Sequence, residues 1–303
     1  MRLRALLTAA LFLCARTLPA GETVRLEKRP NAVVVTIDGT EFTTFHHAPT
    51  QPKPYFSPVR TADGGSLTRP LENPKDHPHH RGIWVSVDEV NEVDFWAERG
   101  KIATHSVELI KVEGNPAQFK VVNHWLGPDN NAILVETTTI TIHADRLFEY
   151  DITLTPGEGE RLVSIHDTKE GLFGLRVCDS LREVETGKVV NADGKQGTAA
   201  CWGQTSAWVD YSGMVEGKAH GVALFDHPDN PRKSRYHVRD YGLFTLSPFG
   251  QSAYTMGKLP ADPLELPAGK TFRLRYGLFI HRGDAESGGV AERYKEYVAG
   301  AAR

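Results

Sequence analysis

Apolar and polar side chains alternate at period two along most of this chain. Phe148, Tyr150, Ile152 and Leu154 share one face while Glu149, Asp151 and Thr153 take the other, and Phe272, Leu274, Tyr276, Leu278 and Ile280 repeat the pattern. Such alternation predicts antiparallel strands with one face in a core. Apolar and β-branched runs at 33–37, 121–125 and 133–142 predict further strands. Between them lie turn formers: Asp38-Gly39, Pro128-Asp129-Asn130-Asn131 and Ala144-Asp145-Arg146. Short strands with frequent turns predict an all-β protein, a large antiparallel β-sandwich. Helical spacing is confined to Val290, Ala291, Tyr294, Tyr297 and Val298, which predicts one short C-terminal helix. No Pro/Gly/Ser-rich linker interrupts the middle, so residues 21–303 read as a single β-sandwich domain.

The first twenty residues have a different pattern. Arg2 and Arg4 precede the apolar run from Ala5 to Cys14, and Leu18-Pro19-Ala20 follows as a small-residue cleavage site. Residues 1–20 therefore read as a signal peptide, too short for the roughly 20 apolar residues of a spanning helix. The expectation is an exported protein, periplasmic or extracellular, with no integral membrane association. Cleavage would leave Cys178 and Cys201, which an oxidising compartment allows to pair, and neither lies in a Cys-x-x-Cys motif. The formal charge of −3 over 303 residues argues against nucleic acid, whose phosphates demand a concentrated basic surface. A small sugar or glycan partner fits better.

The candidate chemistry is concentrated. Asp76-His77-Pro78-His79-His80-Arg81-Gly82-Ile83-Trp84 packs three imidazoles and a guanidinium into five positions. Asp226-His227-Pro228-Asp229-Asn230-Pro231-Arg232 opens with the same Asp-His-Pro and also ends in arginine, which suggests two loops converging on one pocket. In an extended backbone, which the following proline favours for His77, His77 and His79 would share one face and His80 the other. That spacing suits two ligands of one metal, with His227, His124, His166 or Glu170 as a third. The alternative for each histidine is a structural residue bonded to a backbone carbonyl. That reading is favoured for His105, His124, His143 and His281, isolated on strands or strand ends.

Between apolar strands, 165–176 sets His166, Glu170 and Arg176, with Glu170 the preferred carboxylate for proton transfer and a solvated turn the plainer alternative. Arg81, Arg176, Arg232 and Arg239 offer planar forks for carboxylates, phosphates or vicinal hydroxyls. Trp84 and Trp96 flank the loop after the histidines and suit the apolar face of a sugar ring, while the segment 236–242, with Tyr236 and Arg239, is a candidate second wall and Asn230 a further substrate contact.

At these residues the chain resembles an exported bacterial family labelled PmoA-like or methane oxygenase. The matching pieces are 76–84, Val93-Asp94-Phe95-Trp96, 221–232 and Tyr241-Gly242-Leu243-Phe244. The label itself implies no activity here, because the methane monooxygenase subunit of that name is an integral membrane protein and no spanning run follows residue 20. His77, four residues before Arg81 and seven before Trp84, is also similar to the His-Gly-x-x-Arg region of sugar mutarotase-like proteins, with Pro78 in place of glycine. That resemblance implies a mutarotase-like supersandwich with a sugar pocket on an open face and a histidine working with a carboxylate. Fold alone does not imply function.

The leading expectation is a carbohydrate-active hydrolase, lyase or epimerase that needs no cofactor. Its catalytic residues would come from His77, His79, His80, His166, Glu170, Asp226 and His227, and Arg81, Trp84, Trp96, Arg176, Asn230, Arg232, Tyr236 and Arg239 would hold the sugar. One alternative is a transition-metal enzyme with His77, His79 and His227 as ligands. Another is a glycan-binding protein without turnover.

Overall fold

The computed structural model describes residues 22–72 and 74–300, so the segment read as a signal peptide lies outside the described residues. The chain forms two large sheets in which neighbouring strands run antiparallel. The first is nine-stranded, in the order Arg235–Val238, Leu243–Ser247, Phe173–Arg176, Ile83–Val85, Tyr55–Val59, Thr40–His46, Ala32–Ile37, Val24–Arg29 and Glu113–Gly114. The second has eight: Lys188–Asn191, Trp208–Val215, Lys218–Asp226, Phe272–Arg282, Leu147–Pro156, Ala132–Ile142, Ala117–Leu126 and Lys101–Lys111. A small third sheet joins Leu264–Pro267, Leu162–Ile165, Glu89–Val90 and Val93–Asp94.

The predicted alternation is what closes the sandwich. Strands Ala132–Ile142 and Leu147–Pro156 bury every second side chain over most of their length. These meet the inward residues of the nine-stranded sheet in one core, where Phe42 lies 5.3 Å from Phe148 and Tyr150 lies 4.4 Å from Phe173, ring centre to centre. Each such side chain removed from water contributes about 1.5–3 kcal/mol. At the hairpin between Ala32–Ile37 and Thr40–His46, Asp38 and Gly39 both take positive φ, 50° and 76°, the twist of a two-residue turn that matches its flanking strands. The predicted C-terminal helix is present as Val290–Gly300. It lays Val290, Tyr294, Tyr297 and Val298 on Leu147, Phe225 and Phe279, on the outer face of the eight-stranded sheet. No helix among the described residues is long and apolar enough to cross a membrane.

The outer face of the nine-stranded sheet is built differently. Ile83 and Val85, Phe173 and Leu175, Phe244 and Leu246, and Tyr236 and Val238 all point into the core. Period two then turns Trp84, Gly174, Arg176, Leu243, Thr245 and His237 outward.

Candidate functional site

Strand register sets four of those outward residues in a row. Trp84 pairs with Gly174, Gly174 with Thr245, and Thr245 with His237, across four adjacent strands. Gly174 is a bare position in this row. A methyl group there would stand 2.3 Å from Thr245 Cγ2 and 2.6 Å from the Phe244 carbonyl oxygen.

The histidine-rich segment folds over one end of the row, and not as the extended backbone expected from the sequence. His77 takes φ +39°, and the His80 N–H donates to the His77 carbonyl at 3.0 Å, so the segment is a tight turn. Arg69 grips it from below, donating to the Asp76 and His77 carbonyls at 3.0 and 2.8 Å and to the Asp76 carboxylate. Arg176 donates to the same carboxylate and to His80 Nδ1 at 3.2 Å. The turn therefore brings all three imidazoles together instead of splitting them between two faces. Tyr241, His77, His80 and Trp84 form one near-parallel stack, with successive centroids 5.1, 4.7 and 5.5 Å apart and interplanar angles of 6°, 9° and 15°. His79 and Trp96 meet His80 edge-on at 4.5 and 5.5 Å. Stacked and edge-on contacts of this kind fix rings that would otherwise be mobile.

Burial and charge set the protonation of the cluster. His79 is pushed down to about 4 by burial and by the nearby Lys53 and His77 charges, and His80 is lowered further by burial and its neighbouring imidazoles. Both rings are neutral at neutral pH. Burial raises the Asp76 carboxyl, but Arg176 and Arg69 outweigh it and hold it at about 2. Lys53, 1% exposed, sits 3.2 Å from Glu98 Oε1 and 5.5 Å from the centre of the Trp84 ring. Its burial, against the pull of Glu98, takes its ammonium down to about 8. Arg81 completes this group with a two-pronged contact to Glu98 at 2.8 and 3.1 Å.

At the other end of the row stands a carboxylate–imidazole pair. His237 Nδ1 lies 3.1 Å from the Lys169 carbonyl and 3.4 Å from Glu170 Oε2. Both partners are acceptors, so Nδ1 donates to them and Nε2 is the ring nitrogen left without a protein partner. Burial raises Glu170, but the contacts with His237 and Lys169 bring it down to about 2. Asp88 goes the other way, up to about 6, through burial and the neighbouring charges of Asp94, Glu170 and Glu89. Glu170 also acts on His79, which links the two ends of the site.

Polar atoms on this face are left unspent. His80 Nε2, Trp84 Nε1, Ser86 Oγ, Thr245 Oγ1, His237 Nε2 and Trp202 Nε1 are buried without a hydrogen-bond partner. Ser86 follows Trp84 by two residues on the same face, and Trp202 meets His237 edge-on at 6.2 Å. Orphaned buried donors and acceptors cost about 1–3 kcal/mol each, and these six lie close together, on or beside this face.

A model described as "Family of unknown function (DUF6807)" matches residues 32–295. The chain belongs to the DUF6807 family. No curated protein matches it. Among solved structures, a β-arabinopyranosidase is similar at 13% identity and TM-score 0.49, with 79% of this chain spanning 38% of that one. A galactose 1-epimerase from Lactobacillus acidophilus is similar at 10% identity and TM-score 0.39, covering 86% and 98% of the two chains. A polysaccharide lyase gives 13% identity and TM-score 0.33, over 88% and 33%. At these scores none of the three assigns an activity or a residue. The family description names no activity either, so the methane-oxygenase resemblance gains nothing from it.

Within this DUF6807 chain the structure gathers His77, His79, His80, Arg81, Trp84, Trp96, Glu170 and Arg176, with Arg239 over Tyr241 at 5.8 Å. The second Asp-His-Pro loop does not join them. Asp226 ends a strand of the eight-stranded sheet, and its carboxylate accepts from Asn230 Nδ2 at 2.7 Å and the Ser234 N–H at 2.9 Å, closing its own turn. His227 packs edge-on against Tyr297 of the C-terminal helix at 5.4 Å. Arg232 is bound to Asp262 and its neighbouring carbonyls. The convergence of the two loops is thus overturned, because the echo serves a turn on the other sheet. The set His77, His79 and His227 is overturned with it, and no three His, Cys, Asp or Glu side chains among the described residues converge as metal ligands. His166 pairs with Glu89 at 2.9 Å, apart from the stacked rings. Tyr236 is core, donating to the Leu224 carbonyl at 3.0 Å. Cys178 and Cys201 are buried and free.

Sequence reasoning placed His237 and Tyr241 in a candidate wall without giving either a role, and it did not single out Asp88, Lys53, Glu98 or Trp202. For His237 a signal existed: Tyr236 and Val238 point into the core, so His237 and Arg239 had to take the opposite face of the strand.

Proposed function

We propose that this protein is an enzyme that performs acid–base chemistry on a sugar held against the outer face of the nine-stranded sheet. The observation that carries the reading is the set of six unpartnered buried polar atoms among stacked rings. Alternating hydroxyls and C–H faces of a sugar need that mixture of donors, acceptors and aromatic planes. His237 Nε2 takes a proton from the substrate, and ionised Glu170 stabilises the imidazolium that results. Asp88, its carboxyl pushed up to about 6 by burial and by its acidic neighbours, returns a proton to the other side of the reacting bond. Two carboxyls driven apart in one site are the usual basis of such a division of labour. Neutral His79 and His80 accept or donate hydrogen bonds without adding charge. Ring opening, epimerisation, β-elimination and glycoside cleavage all begin with such a transfer.

The test is turnover of a panel of free sugars, glycosides and oligosaccharides followed by NMR, for the wild type, His237→Ala and His79→Ala. Loss of one proton-transfer group is expected to lower turnover by about 10²–10⁴-fold with the fold intact by circular dichroism, and chelator is expected to leave the wild-type rate unchanged. Saturable binding without any product would assign the face to a binding protein. Neither binding nor turnover, or a chelator-sensitive rate, would overturn the reading.

A further inference from the structure

The charges around the site are unevenly shared. Asp76 serves both Arg69 and Arg176, and Glu98 serves both Lys53 and Arg81, so each group carries one cation more than its carboxylates neutralise. Both surpluses are buried: Lys53 and Arg176 are each 1% exposed at the side chain. Arg239 has no carboxylate within ion-pair distance among the described residues, and its guanidinium rests on the Tyr241 ring. On the opposite side Lys169 pairs with Glu170, and Asp94 is bound by Arg99 and the Ala97 N–H. Asp88 is the remaining acid near Glu170, and Asp240 is exposed on the rim. Arg239 thus stands without a carboxylate of its own beside two buried cation surpluses, while Glu183 is held by the Thr198 N–H and hydroxyl at the edge of the same region.

Next to this face lies a hollow of about 320 Å³ lined by Thr198, Ala199, Trp202, Val238, Arg239 and Asp240. It is continuous with the site on two sides. Arg239 touches Tyr241, the end ring of the stack, and Trp202 touches His237. The buried Trp202 indole N–H has no partner. A planar guanidinium fork at the hollow matches the two oxygens of a carboxylate, and the Trp202 N–H beside it is a covered donor that a shift of the indole would bring to the ligand.

We propose that the substrate is an acidic sugar, and that Arg239 and Trp202 receive its carboxylate in this hollow while its ring lies against His237 and the aromatic stack. This rests on the sugar-directed reading and names the substrate class within it. The two sources of charge then have distinct uses. Arg239 binds the carboxylate directly, and the buried surpluses at Asp76 and Glu98 make the local potential more positive, which favours the entry of an anion.

Calorimetric titration of the full chain with methyl glucuronide and methyl galacturonide, against the neutral methyl glucoside and galactoside, tests it. The acidic sugars are expected to bind at least about 10-fold more tightly than their neutral parents, a preference that shrinks as salt rises. Arg239→Gln, at an exposed position, and Trp202→Phe, which keeps the ring and removes the N–H, are expected to bring the ratio of acidic to neutral affinity towards one, with melting temperature as the fold control. Neutral sugars that bind or turn over as well as the acids would overturn the carboxylate subsite and leave the sugar-directed reading standing. No binding of either kind would overturn both.

Discussion

Asp88 and Glu170 are two carboxyl groups of one site that their surroundings drive in opposite directions, to about 6 and about 2. The difference has a cost that can be measured. The folded state holds the Asp88 proton more tightly than the unfolded chain does, so Asp88 makes stability fall as pH rises from about 4 to about 6. Asp88→Asn is therefore expected to stabilise the protein at pH 7, by on the order of 1 kcal/mol after solvent screening, while removing turnover. Denaturant titrations at pH 4 and pH 7 check it: a gain confined to the higher pH supports the strained acid, and a loss at both pH values sinks it. Residue chemistry was the part of the site most legible beforehand. Glu170 and the three imidazoles stood out by type and density. Asp88 did not, because its distinction comes from Asp94, Glu170 and Glu89, which a turn and a third sheet bring beside it.

Elements decide which of these residues face one another. Period two placed Trp84, Arg176 and Thr245 outward once their neighbours were known to be core, and for His237 it would have chosen correctly over Tyr236. The turn at 76–80 was not legible, since an extended reading follows from Pro78, whereas Arg69 holds the segment closed by bonds to its carbonyls. Between the two ends of the site the sheet itself supplies the spacing through Gly174. Gly174→Ala is expected to push against Thr245 and the Phe244 carbonyl and to cost about 1–3 kcal/mol, widening the row on which Trp84 and His237 are mounted. Chemical denaturation should show the loss, together with a turnover defect larger than that of a comparably destabilising substitution in the eight-stranded sheet. An alanine variant as stable and as active as the parent would mean that the row is not held by this close approach.

At the scale of the molecule the two outer faces of the sandwich have been given different tasks, and this division explains why the repeated Asp-His-Pro misled. A tripeptide says nothing about which sheet carries it. One copy, with Arg69 beneath it, builds the site; the other, with Asn230 and Ser234 around Asp226, closes a turn beside the C-terminal helix. That helix closes the second face, and its approach is pinned by a buried ion pair. His281 Nε2 lies 2.7 Å from Asp210 Oδ1 and its Nδ1 lies 3.1 Å from the Arg282 carbonyl, so acceptors occupy both nitrogens and the ring is held as imidazolium. Gly221 and Gly288 leave the ring its room, since a methyl on either would come within 2.4 Å of it. Burial lowers the His281 pKa, but the bond and charge of Asp210 outweigh it and the net direction is upward. A raised folded-state value stabilises the fold fully below the ordinary histidine range near 6.5, and that contribution is lost as pH rises through the raised value. The wild type is therefore expected to lose stability on passing from pH 6 towards pH 9, with the segment 283–289 and the helix loosening first by hydrogen exchange. His281→Gln should be less stable than the wild type at pH 6 and should show a flatter slope above it. An unchanged slope in the variant would place the pH dependence elsewhere and leave the ion pair as simple packing.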